Sequence, residues 1–207
     1  MLPFSEACER NKGPILEVLR TRFADLTQVL EIGSGTGQHA VHFAAHLKHL
    51  TWYPTERLNF LPDLLLRIQS EGGSNLRPPT VLDVTQPVWP VSRVDGIFTA
   101  NTLHIMSWSE DVALFRGIGT TLAPSGLLCI YGPFLYRNRP TAPSNAAFDR
   151  MLQERDPQSG LRHIEEVIAL AAGVGLSLAD DHDLPANNRL LVFVKEPGPG
   201  LHAKTPR

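Results

Sequence analysis

A chain of 207 residues, 43% of them hydrophobic, buries one ordinary core and little more, so a single domain is expected. A formal charge of -2 with no run of Lys or Arg argues against a nucleic-acid partner, which needs a basic face to neutralise phosphates. Two distant cysteines, Cys8 and Cys129, suit reduced thiols in a cytoplasmic protein; a charged N-terminus and the lack of any uninterrupted apolar run of about 18 residues argue against a signal peptide and a membrane span.

Along the chain, residues 5–25 place Ile15, Leu16, Val18, Leu19 and Phe23 near helical spacing after a capping Ser5, which predicts one or two helices. A strand over 27–33, a helix over 38–49, a strand over 51–56 and a helix over 59–71, interrupted early by Pro62, follow. Strands at 80–84 and 94–101, a helix at 109–122 and a strand at 126–133 continue the alternation. Helices at 144–156 and 162–175 precede strands at 176–185 and 188–195. Short, nearly continuous apolar strands alternating with helices define an α/β protein whose mostly parallel sheet is covered on both faces. The last two strands have no helix between them, and a short connection joins antiparallel neighbours, so the sheet should carry a reversed strand at or near an edge. The domain is expected to span residues 1–195, with an N-terminal helical segment; residues 196–207, rich in Pro and Gly, read as a disordered tail.

The stretch "VLEIGSGTG" puts Gly33, Gly35 and Gly37 between a strand and a helix, in the crevice where open α/β sheets bind ligands. Dinucleotide folds use G-x-G-x-x-G, and here the third glycine comes one position early. Glu31 beside the loop would repel a pyrophosphate but suits a ligand with positive charge, as S-adenosylmethionine has. Glu56 ends the second strand about twenty residues on, the interval at which a carboxylate meets ribose hydroxyls. Asp83 ends the third strand, where it could accept from an adenine amino group while Val84 donates its backbone N–H. Taken singly, each of these acids reads equally as a solvated strand end; in sequence they reinforce one another.

These residues resemble the first motif of class I S-adenosylmethionine-dependent methyltransferases. The blocks "ERNKGPILEVLR", "ANTLHIMSW", "YGPF", "SNAAFDRMLQERDPQSGLR" and "LPANNRLLVF" narrow the resemblance to the methyltransferase-like family catalogued as domain of unknown function 938, called methyltransferase-like protein 26 in animals, over residues 3–195. The resemblance implies a Rossmann-like three-layer sandwich with a seven-stranded, mostly parallel sheet and an antiparallel last strand. It also implies a cofactor site of Glu31, Gly33, Ser34, Gly35, Gly37, Glu56, Asp83, Val84 and Asn101, and it names no substrate. Glu56 stands where the family is expected to carry aspartate, and "YRNRPTAPSN" lacks a Gly-rich turn after "YGPF".

The chain lacks the Asn/Asp-Pro-Pro-Tyr/Phe tetrapeptide after its fourth strand, which lowers nucleic-acid amino groups and protein glutamine as acceptors; a small molecule is the expected substrate. His104, past the same strand, is either a general base or a histidine packed beneath the cofactor. Asn11, Tyr131, Tyr136, Asn145, Asn188 and Arg189 are candidate substrate contacts, with Asn187 beside them; "PANN" reads equally as a turn. The segment with Arg10, Asn11 and Lys12 either closes over the cofactor or caps the sheet. His39, His42, His46 and His49 share one helix stripe without a carboxylate or cysteine to complete a metal site, so no metal is expected. A non-catalytic module that binds S-adenosylmethionine and a nucleotide-dependent oxidoreductase are the competing readings.

Overall fold

The computed structural model describes residues 2–137, 139 and 141–197. In chain order the elements are α1 (Glu6–Arg22), β1 (Gln28–Ile32), α2 (Gln38–His46), β2 (Thr51–Glu56), α3 (Leu61–Glu71), β3 (Thr80–Val81) and β4 (Val94–Ala100). A 3₁₀ turn (Leu103–Ile105) leads to α4 (Trp108–Thr121), β5 (Leu122–Gly132), β6 (Phe134–Leu135), α5 (Pro143–Arg155), β7 (Arg162–His163), α6 (Ile164–Ala172), β8 (Leu176–Leu184) and β9 (Asn188–Lys195). Seven strands form one sheet in the order β3-β2-β1-β4-β5-β9-β8, and β6 pairs with β7 in a separate two-stranded ribbon. All pairings in the large sheet are parallel except those of β9, which runs against both β5 and β8. The reversed strand is thus the last in sequence and second from the edge, as a short hairpin from β8 requires.

Strand alternation builds two cores from the same strands. Val29, Phe98, Cys129, Leu190 and Val192 face α1 and α2, where Ile15, Leu16, Leu19 and Phe43 meet them. Their neighbours Leu30, Ile97, Leu128, Ile130, Leu191 and Phe193 face α4 and α6, against Leu114, Phe115, Ile118 and Val167. A period of two along each strand with helices on both sides gives the three layers expected.

Local differences from the sequence reading have physical causes. Of the one or two helices expected, residues 6–22 form one, since Pro14 costs a single backbone bond while Ile15, Leu16 and Leu19 bury the helix on the sheet. The helix expected to reach residue 49 stops at His46, where the Leu47 N–H closes the last turn on Phe43 O. β3 is two residues long, so Asp83 and Val84 lie beyond its end. The β6/β7 ribbon joins segments 28 residues apart, a pairing that no local pattern announces. Among the described residues, no helix is long and apolar enough to cross a membrane. Of the expected disordered tail, residues 198–207 lie outside the described residues.

Candidate functional site

A cavity of about 980 Å³ opens over the C-terminal ends of β1, β2, β4 and β5. β1 delivers the chain to its floor in a left-handed turn: Gly33 has φ 72, and an added Cβ would come within 2.6 Å of Thr102 Cγ2. The loop is tied to β2 by two bonds. Ser34 N–H donates to Thr55 O (2.9 Å), and Gly35 N–H donates to Glu56 Oε2 (2.7 Å). The other Glu56 oxygen accepts from Arg57 N–H (2.8 Å), so the carboxylate is fixed at the strand end with a lone pair left on each oxygen for further donors. Asp83 Oδ1 accepts from the backbone and hydroxyl of Thr85 (2.9 and 2.7 Å), bonds that hold its carboxyl below the usual range. Gly33, Ser34, Gly35, Glu56, Asp83 and Val84 all line the cavity.

Two residues expected at the cofactor do not line it. Glu31 has the parity of Val29 on β1 and therefore points into the α1/α2 layer, where it accepts from the Trp52 indole N–H (2.8 Å). Burial pushes its carboxyl up to about 7, against the Trp52 bond. Gly37 starts α2 at φ 75 with Leu64 and Arg67 of α3 where its Cβ would be, so it serves helix packing.

Beyond β4, Asn101 takes a left-handed φ of 58 and donates its N–H to Tyr131 O (2.8 Å), which turns the chain across the cavity mouth. The following 3₁₀ turn carries His104 into the wall, 6% exposed, with its ring 5.3 Å from Phe148 at an edge-on angle. Burial, with a smaller contribution from Arg162, lowers the imidazole to about 4 and keeps it neutral. Three consecutive carbonyls of this turn accept from one downstream segment: Gly160 N–H to His104 O (3.0 Å), Ser159 hydroxyl to Ile105 O (3.2 Å) and Arg162 guanidinium to Met106 O. Arg162 also donates to the buried Asp111 (2.6 Å), tying α4 to the same point.

The far wall brings together Asn11, Tyr131, Asn145, Asn187 and Asn188 from the sequence-derived set, with Arg10 at its rim. His39 Nε2–H donates to Asn11 Oδ1 (2.6 Å), and Asn145 Nδ2–H donates to Asn187 O (3.1 Å). α1 is fastened here by Ser5 N–H to Gln38 Oε1 (2.6 Å) and Arg67 to Pro3 O, so it sits as part of the wall. Lys12 pairs with Glu9 and does not line the cavity.

Tyr136 and Arg189 fall outside the cavity. The Tyr136 hydroxyl donates to Asp181 Oδ2 (2.8 Å), and Arg189 bridges Asp181 and Asp183 (2.7 and 3.0 Å), so the β8/β9 register commits both to the sheet edge. Sequence reasoning missed Cys8, Phe60, Thr102, Pro133 and Phe148 as wall residues. It also read His39 as part of a polar helix flank; His39 is buried, stacked on Phe43 and part of the wall. The i, i+4 pair His42 and His46 has ring centroids 4.4 Å apart, and His46 Nδ1–H donates to His42 O (2.8 Å). Among the described residues, no three His, Cys, Asp or Glu side chains are grouped to hold a metal ion.

This sheet order, with the glycine turn and strand-end carboxylates over one cavity, is the fold of class I S-adenosylmethionine-dependent methyltransferases. An O-methyltransferase family protein from Burkholderia thailandensis superposes with a TM-score of 0.81 at 16% identity, over 94% of this chain and 59% of that one. Human N-acetylserotonin methyltransferase, solved in complex with its methyl donor, gives 0.75 at 14% identity, over 92% and 53%. Mitomycin 7-O-methyltransferase gives 0.78 at 18% identity, over 91% and 54%; the chain thus spans a little over half the length of each. The chain belongs to the family described as "Protein of unknown function (DUF938)", whose model matches residues 2–195.

Proposed function

We propose that the chain is an S-adenosylmethionine-dependent methyltransferase with a small-molecule acceptor. One observation carries the reading: the glycine turn, Glu56 and Asp83 occupy one half of a cavity whose other half is walled by His104, Tyr131, Asn145 and Phe148. The donor fits the first half. Glu56 keeps lone pairs for two ribose hydroxyls, Asp83 Oδ2 and the Val84 N–H suit an adenine edge, and an added Cβ at Gly35 meets no protein atom within 4 Å, so ligand can lie against the loop.

When bound, S-adenosylmethionine supplies an electrophilic methyl carbon, whose bond to sulfur breaks with the electron pair staying on sulfur as an acceptor lone pair takes the carbon. The chain's own residues orient the two ligands and exclude water, α1 and α5 forming walls over the strand ends. His104 takes the proton that the acceptor atom loses, its neutral imidazole being the form able to accept it.

Space beside the donor half favours an enzyme over a binding module, which needs no second chamber. Calorimetry tests the donor: S-adenosylhomocysteine should bind in a one-to-one complex and NAD should not compete with it. Tight NAD binding with no response to S-adenosylhomocysteine overturns the reading in favour of an oxidoreductase.

A further inference from the structure

The two halves of the cavity differ in chemistry. The carboxylates that line it, Glu56, Asp83 and Glu110, all belong to β2, the end of β3 and α4. Among the described residues, none lines the half formed by α1, the end of β5, α5 and the β8/β9 turn. A protonated amine there meets no counter-charge. A carboxylate fares no better, because Arg10, the cation at that rim, is largely exposed and 3.9 Å from Glu6.

Beside the end of β5 the 3₁₀ turn presents an unpaired acceptor to this half, a Cβ added at Gly132 lying 3.8 Å from His104 Nδ1. His104 is more than nine-tenths buried, faces the cavity, and neither of its ring nitrogens has a hydrogen-bond partner among the described residues. Its nitrogens are not sealed off from the cavity, so a ligand atom that carries a proton can reach and pair with one of them. The Tyr131 hydroxyl at the end of β5 and the Asn11 amide on α1 line the same cavity as donors, and burial pushes the phenol up. The Phe148 ring and Pro133 supply flat apolar walls.

Resting on the methyltransferase reading above, we propose that the acceptor is an uncharged aromatic molecule bearing a hydroxyl, which donates to His104 while its ring lies against Phe148. A hydroxyl both gives and accepts hydrogen bonds, which matches one bare acceptor nitrogen beside donors. An aromatic amine nitrogen accepts poorly because its lone pair is drawn into the ring. As the carbon–oxygen bond forms, the hydroxyl becomes strongly acidic, so a weakly basic imidazole suffices to take its proton and pass it to water.

The test titrates four like-sized compounds into protein saturated with S-adenosylhomocysteine: 4-ethylphenol, tyramine, 4-hydroxyphenylacetate and 4-ethylaniline. The expected result is that 4-ethylphenol binds at least about tenfold more tightly than the other three. His104→Leu should weaken that binding by about tenfold and leave S-adenosylhomocysteine affinity unchanged. With isotopically labelled donor, label should appear on the phenol oxygen. Equal or tighter binding of a charged compound or the aniline, or no binding of 4-ethylphenol while S-adenosylhomocysteine binds, overturns the acceptor class. A failure of S-adenosylhomocysteine itself to bind, read in the first titration, overturns the donor reading instead.

Discussion

Gly33 shows how much one missing side chain can decide. Alanine there must hold φ 72, which costs about 1–2 kcal/mol, and must also displace Thr102 Cγ2 from 2.6 Å. Gly33→Ala should therefore lower stability by about 2 kcal/mol or more and abolish S-adenosylhomocysteine binding, as measured by urea melts and calorimetry. Adding Thr102→Ser removes the clashing methyl and should restore part of the stability, while the backbone penalty stays. His104 makes a second prediction at this scale. Its imidazole, lowered to about 4, is neutral throughout the usual assay range, so kcat/KM should show no His104 titration from pH 8 to 6 and should fall only as pH drops through about 4. A pH-rate profile with a half-point near 6.5 would assign the base elsewhere. The residues that the sequence made legible are those placed by backbone alone: Gly33, Gly35, Glu56, Asp83 and Asn101 follow strand ends at set intervals, and strand ends are where this fold opens. Phe148 and His39 were not legible, because an apolar or aromatic residue on an amphipathic helix has the same spacing whether it faces core or cavity.

Among the elements, the 3₁₀ turn with His104 is held in place by three carbonyl bonds from one downstream segment. Arg162 joins it to α4 through Asp111, whose carboxyl burial raises to about 6 despite the guanidinium beside it. Arg162→Met strands that acid without a partner and frees Met106 O, and should cost about 3–5 kcal/mol in urea denaturation. Asp111→Asn in the same background should recover a large part, since it removes the uncompensated charge. These tethers could not be read from sequence. Ser159, Gly160 and Arg162 reach back more than fifty residues, and the β6/β7 ribbon that sets them there has no periodic signature. Elements with a strong local pattern were legible: β1, β4 and β5 as apolar strands, α1 as a helical stripe, and β8/β9 as a hairpin. Register was not. It decided that Arg189 meets Asp181 and Asp183 at the sheet edge, away from the cavity.

For the whole molecule, buried ionisable groups of both kinds set the response to acid. Burial raises Glu31 from 4.5 to about 7 and Asp111 from 3.8 to about 6, so the folded chain holds more protons on them than the unfolded chain, and their contribution to stability falls as pH rises through those windows. His39 and His104, lowered from 6.5 to about 4 chiefly by burial, act oppositely: their contribution is present above 6.5 and is lost as pH falls through 4. Between about pH 5 and 6 the two sets oppose each other. Glu31→Gln keeps an acceptor for the Trp52 indole and deletes one member of the first set. Its stability should decline on acidification from pH 6.5 to 5 by roughly 1 kcal/mol per pH unit more steeply than that of the native chain, as read from denaturant midpoints. The position of β9 carries a further consequence, for the order in which the chain can be assembled. β9 follows both of its neighbours in sequence yet lies between them, so until residues 188–195 are in place β5 has one bare side and β8 has no attachment to the sheet. The bare side is a row of unpaired backbone groups on a strand whose side chains are almost all apolar, the kind of edge that pairs with another chain. During synthesis at roughly 5–20 residues per second, that edge stays open until the hairpin closes. Nascent chains arrested at residue 186 should accumulate as aggregates or chaperone-bound species, detectable by light scattering or pull-down, whereas chains arrested after residue 195 should stay soluble.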